Sequence, residues 1–191
     1  MRALQAAAPW GPDHLTIIEA PEPTPGHGEV LVRMKAVSLN YRDLMMINGM
    51  YGRGSAKAGS VTPFSDGCGV IEAVGEGVTR VKVGDRVATM FFQGWISGPP
   101  TLEKAMTALG SPIPGAGREL AVFSQEGVSK VPDFLTDQQV ATLPCAALTA
   151  WRAMFEDGDL SPGDTVVLQG TGGVSIFGLQ FAKAAGLRAL I

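Results

Sequence analysis

The sequence has few cysteines and few charged residues. Its 191 residues include only two cysteines, Cys68 and Cys145, which excludes a disulfide framework and favours a reducing, cytoplasmic setting. Charged residues make up 17% of the chain, against about 25% in an ordinary soluble domain. Apolar residues reach 46%, so there is ample material for a core. This balance argues against intrinsic disorder.

Basic clusters and membrane-spanning runs are also missing. The formal net charge is −3, and no basic patch suggests a nucleic-acid partner. No apolar run approaches the ~18 residues that a membrane span needs, and residues 1–10 make a poor signal peptide. We therefore expect neither nucleic acid nor a membrane among the partners of this protein.

Glycine, in contrast, is abundant. The 25 glycines among 191 residues are nearly twice the average share of about 7%, and 13 prolines accompany them. This composition predicts short strands joined by turns. The predicted strands lie within 2–8, 14–20, 30–38, 69–92 and 117–132. In the third of these, apolar residues alternate with Arg33 and Lys35, as in a half-buried strand.

The second half of the chain changes to a helical pattern. Thr136 followed by Gln139 is a capping box, and Pro144 fits the first turn of a further helix that ends near Gly158. Residues 164–170 form a continuous apolar run, typical of a strand buried on both faces. Residues 172–186 predict a helix with an apolar stripe of Val174, Phe177, Phe181 and Ala184.

The sharpest motif is the run Gly170-Thr171-Gly172-Gly173 between that strand and that helix. A glycine turn lets the backbone approach a diphosphate, and the helix N-terminus adds free N–H donors. This is the arrangement of dinucleotide-binding sites. The pattern G-x-G-x-x-G is incomplete, because Ser175 stands at the third glycine. The alternative is an ordinary strand–turn–helix connection.

Several segments in this order resemble one known family. They are SLNYRDLMMINGMYG, PFSDGCGVIEAVGEGVTRVKVGDRV, TLPCAALTAW and LQGTGGVSIFGLQFAKAAG. Together they resemble the medium-chain dehydrogenase/reductase superfamily, in its zinc-independent, quinone-oxidoreductase-like and alcohol dehydrogenase-like branch. The resemblance implies an α/β plus β fold, with a GroES-like β-rich catalytic domain over 1–130. Residues 131–191 would then be a helical connection and the first βαβ part of a Rossmann domain that binds NAD(P)H.

The resemblance also bears on zinc. Zinc-dependent relatives place a Cys, a His and a second Cys at positions that correspond to Asn40, Ser65 and Cys145. Only the cysteine is retained here, and zinc needs about three ligands from Cys, His or carboxylate. His14 and His27 have no paired ligand nearby. We expect no bound zinc, with Cys145 as a small packing residue rather than a ligand.

By the same resemblance, Asn40, Tyr41, Asp43 and Tyr51 border the nicotinamide and the substrate, with the tyrosines as possible proton donors. Asn40 then also contacts the cofactor. The remaining cofactor-binding residues would be Gly170, Thr171, Gly172, Gly173, Val174, Ser175 and Thr149.

Each of these candidate residues also has a structural alternative. Asn40 fits a helix cap, with Asp43 in the first turn. Tyr41 fits a core position, Asp43 could pair with a cation, and Asp66 fits either a turn or an orienting role. Thr149 could bond its own helix backbone.

The expected function is NAD(P)H-dependent hydride transfer, without zinc, to a quinone, an enone or a carbonyl compound. Two alternatives stay open: an alcohol dehydrogenase of the same superfamily, or a non-catalytic GroES-like binding module. The expected cofactor is NADPH, with NADH possible, and the expected partner is a small-molecule substrate. Residues 164–191 supply about one βαβ unit, so we expect a fragment of a longer protein that forms a homodimer when complete.

Overall fold

A computed structural model describes residues 1–50 and 59–191 of the chain. The chain divides into two compact units, Met1–Pro144 and Cys145–Ile191. Among the described residues, none of the helices combines the length and apolar character required to cross a bilayer.

The first unit is rich in strands, as the glycine-punctuated sequence predicts. Its strands are β1 Arg2–Ala7, β2 Thr16–Glu19, β3 Glu29–Ser38, β4 Ser60–Val61, β5 Asp66–Val74, β6 Arg86–Thr89, β7 Leu120–Ser124 and β8 Val128–Lys130. Its α-helices are α1 Tyr41–Ile47, α2 Leu102–Ala105 and α3 Asp137–Ala141, and short 3-10 turns span Pro12–His14 and Gln125–Gly127. Each predicted β segment therefore contains observed strands.

These strands form antiparallel sheets. Within the described ranges, one sheet has five strands in the order β7-β3-β5-β6-β8, and a second has three in the order β2-β1-β4. Strand β3 pairs with β5 along its length and with β7 over Glu29–Arg33. Two register shifts, after Leu31 and after Met34, bend β3 where it leads into α1.

The alternation predicted for residues 30–38 is confirmed. Val30 and Val32 are 0% and 1% exposed, whereas Arg33 lies on the other face and pairs with Glu72. The core around Val30 and Val32 is completed by Ile71, Val81, Val87, Leu109, Ala121, Phe123 and Val128. The predicted capping box is also present, since Thr136 and Gln139 bond each other's backbone at the start of α3.

The second unit contains a helical stretch and a small parallel sheet. Helix α4, Leu148–Trp151, lies between the π-helical turns Leu143–Ala147 and Arg152–Glu156. Strands β9, Thr165–Val167, and β10, Arg188–Leu190, pair in parallel and are joined by helix α5, Gly173–Ala184. This is a βαβ connection, the first unit of a Rossmann fold.

Two predictions for this second unit are wrong in detail. Strand β9 is not buried on both faces, because Val167 is 74% exposed and β9 pairs with β10 alone among the described residues. The fully buried residues of α5 are Gly178 and Ala182. Of the predicted stripe, Phe181 packs against the core of this unit, whereas Val174 is 43% exposed. At Gly178 the close approach of Leu168 leaves no room for a side chain.

Candidate functional site

The N-terminus of α1 brings together the first candidate residues. Asn40 takes the N-cap position with an extended backbone, and its N–H donates to Asp43 Oδ2 at 2.8 Å. The N–H of Asp43 in turn donates to the carbonyl of Asn40 at 2.9 Å. The capping role weighed for Asn40 is therefore real. It fixes the backbone of Asn40 through the carboxylate of Asp43.

The carboxyl of Asp43 is buried, with 1% of the residue exposed. Burial raises its pKa above the ordinary value of 3.8, and the nearby carboxyl of Asp66 raises it further. The backbone amides of Asn40 and Phe64 and the charge of Arg42 act in the opposite direction. The carboxyl of Asp66 therefore contributes to the raised pKa of Asp43.

Asp66 reaches the site from a separate stretch of chain. Ser65 and Asp66 are both 0% exposed, and Ser65 Oγ donates to Asp66 Oδ1 at 2.6 Å. Thr89 Oγ1 donates to the carbonyl of Ser65 at 2.8 Å and accepts from the N–H of Gly67 at 2.9 Å. This network holds Asp66 in place at the start of β5, consistent with the orienting role considered for it.

Two buried polar atoms of this cluster have unused hydrogen-bonding capacity. Among residues 1–50 and 59–191, Asn40 Nδ2 has no acceptor and Asp43 Oδ1 makes no regular hydrogen bond. Buried polar groups in native proteins nearly always find a partner, and an exception usually marks a water, an ion or a ligand. The N-terminus of α1 therefore has a buried amide donor, Asn40 Nδ2, without an acceptor among the described residues, whereas the carboxyl of Asp43 also faces the backbone amide of Phe64.

The tyrosine predictions have different outcomes. Tyr41 is 78% exposed, which excludes the core alternative and leaves its phenol available at the surface of α1. Tyr51 lies outside the described residues, so its predicted role is neither supported nor contradicted.

Sequence reasoning missed the contacts of Arg42. Its Nη1 and Nη2 donate to the carbonyls of Leu109 and Ser111 at 2.8 and 2.7 Å. The guanidinium carbon also lies 4.6 Å from the centre of the Phe91 ring. Nothing in the local sequence signals these contacts, because the two carbonyls lie 67 and 69 residues further along the chain.

The residues do not fit a catalytic zinc ion of the usual kind. Zinc ligands in proteins are thiolates, imidazoles and carboxylates, whereas the corresponding positions carry the amide of Asn40 and the hydroxyl of Ser65. In the parts of the chain that the structure describes, no group of three His, Cys, Asp or Glu side chains is arranged to hold a metal. His14 and His27 are both exposed.

The glycine turn of the second unit is built as the sequence predicts. After β9, Gly170 takes a left-handed conformation with φ 79°, and Gly172 is the N-cap of α5 without a side-chain cap. A side chain built on Gly170 or Gly172 would meet no atom within 4 Å. The backbone beside Gly170 and Gly172 therefore has the open space that close approach of an anion to a helix N-terminus requires.

Two residues, Ser175 and Gly178, share the part that the third glycine of the G-x-G-x-x-G pattern normally plays. Ser175 Oγ donates to the carbonyl of Gln169 at 2.9 Å, so the serine hydroxyl ties the start of α5 to the end of the strand segment. The close packing that a third glycine normally allows occurs at Gly178, where an added Cβ would lie 2.8 Å from Leu168 Cδ2. Sequence analysis missed Gly178, although its helical spacing from the turn is a usable signal.

Thr149 and Cys145 belong to the same second unit. Thr149 is exposed on α4, consistent with availability to a ligand. Cys145 is half-buried, at the start of the unit.

An apolar pocket of about 350 Å³ lies elsewhere in the first unit. Its lining includes Leu4, Ile17, Met34 and Arg118, and burial lowers the pKa of that arginine. None of the candidate residues that the structure describes lines this pocket. The candidate site is therefore defined by its polar groups and not by this cavity.

Comparison with known proteins agrees with this geometry. The profile of the alcohol dehydrogenase GroES-like domain matches residues 26–133. A zinc-type alcohol dehydrogenase-like protein of Schizosaccharomyces pombe is 45% identical over 161 residues, which are 83% of this chain and 46% of that protein. A quinone oxidoreductase of Pseudomonas aeruginosa is 33% identical over 188 residues, covering 98% of this chain and 51% of that protein.

Solved structures give the same result. The crystal structure of an NAD-dependent alcohol dehydrogenase superposes with a TM-score of 0.87 at 31% identity, covering 99% of this chain and 57% of that one. The chain spans about half the length of the curated relatives it matches. The β-rich first unit and the glycine turn agree with these matches. The chain belongs to the alcohol dehydrogenase GroES-like family of the medium-chain dehydrogenase/reductase superfamily.

Proposed function

We propose that this protein is an NAD(P)H-dependent oxidoreductase that transfers hydride, without zinc, to a quinone, an enone or a carbonyl compound. The observation that carries the proposal is the strand-to-helix turn at Gly170–Gly173, with free space where side chains on Gly170 and Gly172 would otherwise lie. Family membership supports it, since relatives are named alcohol dehydrogenase and quinone oxidoreductase.

The second unit would hold the diphosphate of the cofactor. The N–H groups of Gly172, Gly173, Val174 and Ser175 lie in the first turn of α5, where the helix dipole favours negative charge. Thr171 and Thr149 are the proposed side-chain contacts. When bound, the nicotinamide supplies the hydride. NADPH is the proposed form, because the family resemblance favours it, and NADH is the alternative. In this fold the residue after the second strand, here β10, distinguishes the two at the ribose.

The first unit would handle the oxygen of the substrate. Reduction of a carbonyl or a quinone places negative charge on oxygen, and without a metal a hydrogen-bond donor must stabilise it. Asn40 Nδ2 suits this task because it is buried and has no acceptor among the described residues. Asp43 holds the backbone of Asn40, and the phenols of Tyr41 and Tyr51 are the proposed proton donors.

The wider setting is proposed on the same basis. A small-molecule substrate, a cytoplasmic location and a homodimer follow from the family resemblance and from the lack of cysteine pairs and basic patches. An alcohol substrate would use the same residues in the reverse direction, so the assay below includes both directions.

A test of the proposal is the substitution Gly172→Val. The backbone of Gly172 has φ −74° and ψ 171°, which valine adopts without strain, so the fold should survive while the side chain blocks the diphosphate. We expect NADPH affinity to fall at least about tenfold, which is about 1.4 kcal/mol of binding free energy. Titration of NADPH fluorescence measures this directly.

The control is Ala184→Val, which places the same side chain at the exposed end of the same helix. It should leave NADPH affinity unchanged. Turnover is followed with a quinone and enone panel plus NADPH, and with an alcohol panel plus NAD⁺ or NADP⁺. Equal NADPH affinity in the parent and in Gly172→Val would contradict the proposal. Cofactor binding without turnover on either panel would favour the non-catalytic alternative.

A further inference from the structure

The polar cluster of the first unit is assembled from two separate stretches of chain. Asn40 and Asp43 belong to the start of α1, whereas Ser65 and Asp66 follow the turn at Phe64. Where metal ligands stand at positions 40 and 65, one ion can join the two stretches. Here the residues do not fit a metal. The backbone amide of Phe64 bonds the carboxyl of Asp43, and a third segment of the protein contacts both stretches.

The segment 109–117 contacts the first stretch through Arg42. The guanidinium of this side chain donates two hydrogen bonds to carbonyls of the segment, at 2.8 and 2.7 Å, and it stacks over Phe91. Arginine suits this task because its planar fork presents several donors in a fixed geometry. Helix α1 is thereby attached to the segment directly beside Asn40 and Asp43.

The same segment also holds the second stretch. Three successive N–H groups, of residues 115–117, donate to the carbonyls of residues 62–64, at distances of 2.8, 2.7 and 3.0 Å. Phe64 has φ 74°, a left-handed conformation that a residue with a bulky side chain rarely adopts. Such a conformation persists only where the surroundings fix it. The turn that leads into Ser65 and Asp66 therefore depends on this segment.

Gly110 lies close to both the side chain of Arg42 and the backbone of Phe64. Its φ is 81°, and an added Cβ would lie 3.3 Å from both Arg42 Nη1 and the backbone nitrogen of Phe64. Both distances are tighter than ordinary van der Waals contacts, and the second involves backbone that cannot swing away. A glycine at this position is what lets α1 and the Phe64 turn approach the segment together.

We infer that Gly110 and Arg42 are positioning residues, through which segment 109–117 holds Asn40 and Asp43 in register with Ser65 and Asp66. The inference rests on the proposed function only in that Asn40 is the donor being positioned. The segment contacts both stretches, as a metal ion bound by residues at positions 40 and 65 would.

The test compares Gly110→Ala with Gly98→Ala. Gly98 lies in the same region with a similar φ of 76°, but an added Cβ there meets only the flexible end of Lys104, at 3.5 Å. Both variants carry the same left-handed strain, so their difference isolates the crowding at residue 110. Amide hydrogen exchange is measured without cofactor. We expect it to rise more than about tenfold in both 40–44 and 64–67 for Gly110→Ala only.

Turnover supplies the second measurement. We expect kcat of Gly110→Ala to fall about 10- to 100-fold, since small misplacements of catalytic groups have effects of this size, with a smaller effect on NADPH affinity. Arg42→Lys retains one donor and should keep more activity than Arg42→Met. This pair keeps the test decisive if Gly110→Ala does not fold.

Equal exchange in Gly110→Ala and Gly98→Ala, or a change confined to the neighbours of residue 110, would overturn the inference. So would equal activity and equal exchange in Arg42→Lys and Arg42→Met. Failure of the proposed function gives a different result. In that case exchange still rises in both stretches for Gly110→Ala, while the parent protein itself oxidises no NADPH.

Discussion

The two units of this chain bury their side chains to very different degrees. In Met1–Pro144, large side chains such as Ile71 and Val87 are 1% exposed, and even the polar Ser65 and Asp66 are 0% exposed. In Cys145–Ile191, Val167 is 74% exposed and Ile191 is 63% exposed. The first unit can therefore position a site made of distant residues, whereas the second presents a motif made of neighbours.

This difference matters for how each candidate site is held. The cluster at α1 joins Asn40 and Asp43 to residues that follow more than twenty positions later, so it exists only when the core around it is packed. The glycine turn needs only β9, Gly170–Gly173 and the start of α5. Its geometry comes from the backbone preferences of adjacent residues.

The largest expected effect is on the free energy of unfolding, when a buried side chain of the first unit and an exposed one of the second unit are each truncated. Ile71→Ala removes a side chain that is 1% exposed and should lower the free energy of unfolding by about 2–5 kcal/mol, because a cavity remains. Val167→Ala in the second unit should cost less than about 0.5 kcal/mol, as exposed substitutions do. Urea unfolding followed by circular dichroism measures both. Similar losses for the two variants would contradict the comparison.

A smaller effect is expected at the glycine turn. Ser175→Ala removes the hydrogen bond to the carbonyl of Gln169 and should lower the free energy of unfolding by about 0.5–1.5 kcal/mol. Ser175→Gly loses the same hydrogen bond but restores the third glycine of the dinucleotide-binding pattern. The two variants should retain NADPH binding, measured by fluorescence titration. Loss of binding in Ser175→Gly would show that the hydroxyl, and not the backbone, forms the site.

The smallest effect is a change in pH dependence at the buried carboxyl. Because burial raises the pKa of Asp43 above 3.8, the folded state binds its proton more tightly than the unfolded state. This contribution to stability is present below pH 3.8 and is lost as the pH rises through the higher folded value. Asp43→Asn removes that loss.

Thermal unfolding midpoints of the parent and Asp43→Asn measure this between about pH 3.5 and 7.5. The parent should lose stability relative to the variant as the pH rises. A constant difference across the range, or a parent that gains stability on the variant, would mean that Asp43 is ionised at little cost despite its burial.

Several features could be predicted from the sequence because near neighbours decide them. The capping box of Thr136 and Gln139, the alternation along β3 and the strand–glycine–helix turn at Gly170–Gly173 all form as expected. The poor fit of these positions to zinc can also be argued without a structure, since the amide of Asn40 and the hydroxyl of Ser65 are poor zinc ligands by their chemistry alone. In each case the residue types within a few positions supply the physical reason.

Other features were decided only by the tertiary structure. Three features depend on which distant segments pack together. They are the burial of Asp43 beside Asp66, the left-handed turn at Phe64, and the hydrogen bonds of Arg42 to carbonyls 67 and 69 residues away. The exposure of Val167 likewise depends on which residues pack against β9. The apolar sequence of β9 does not specify those residues. Local sequence fixes backbone preference, whereas burial and electrostatic environment arise from non-local packing.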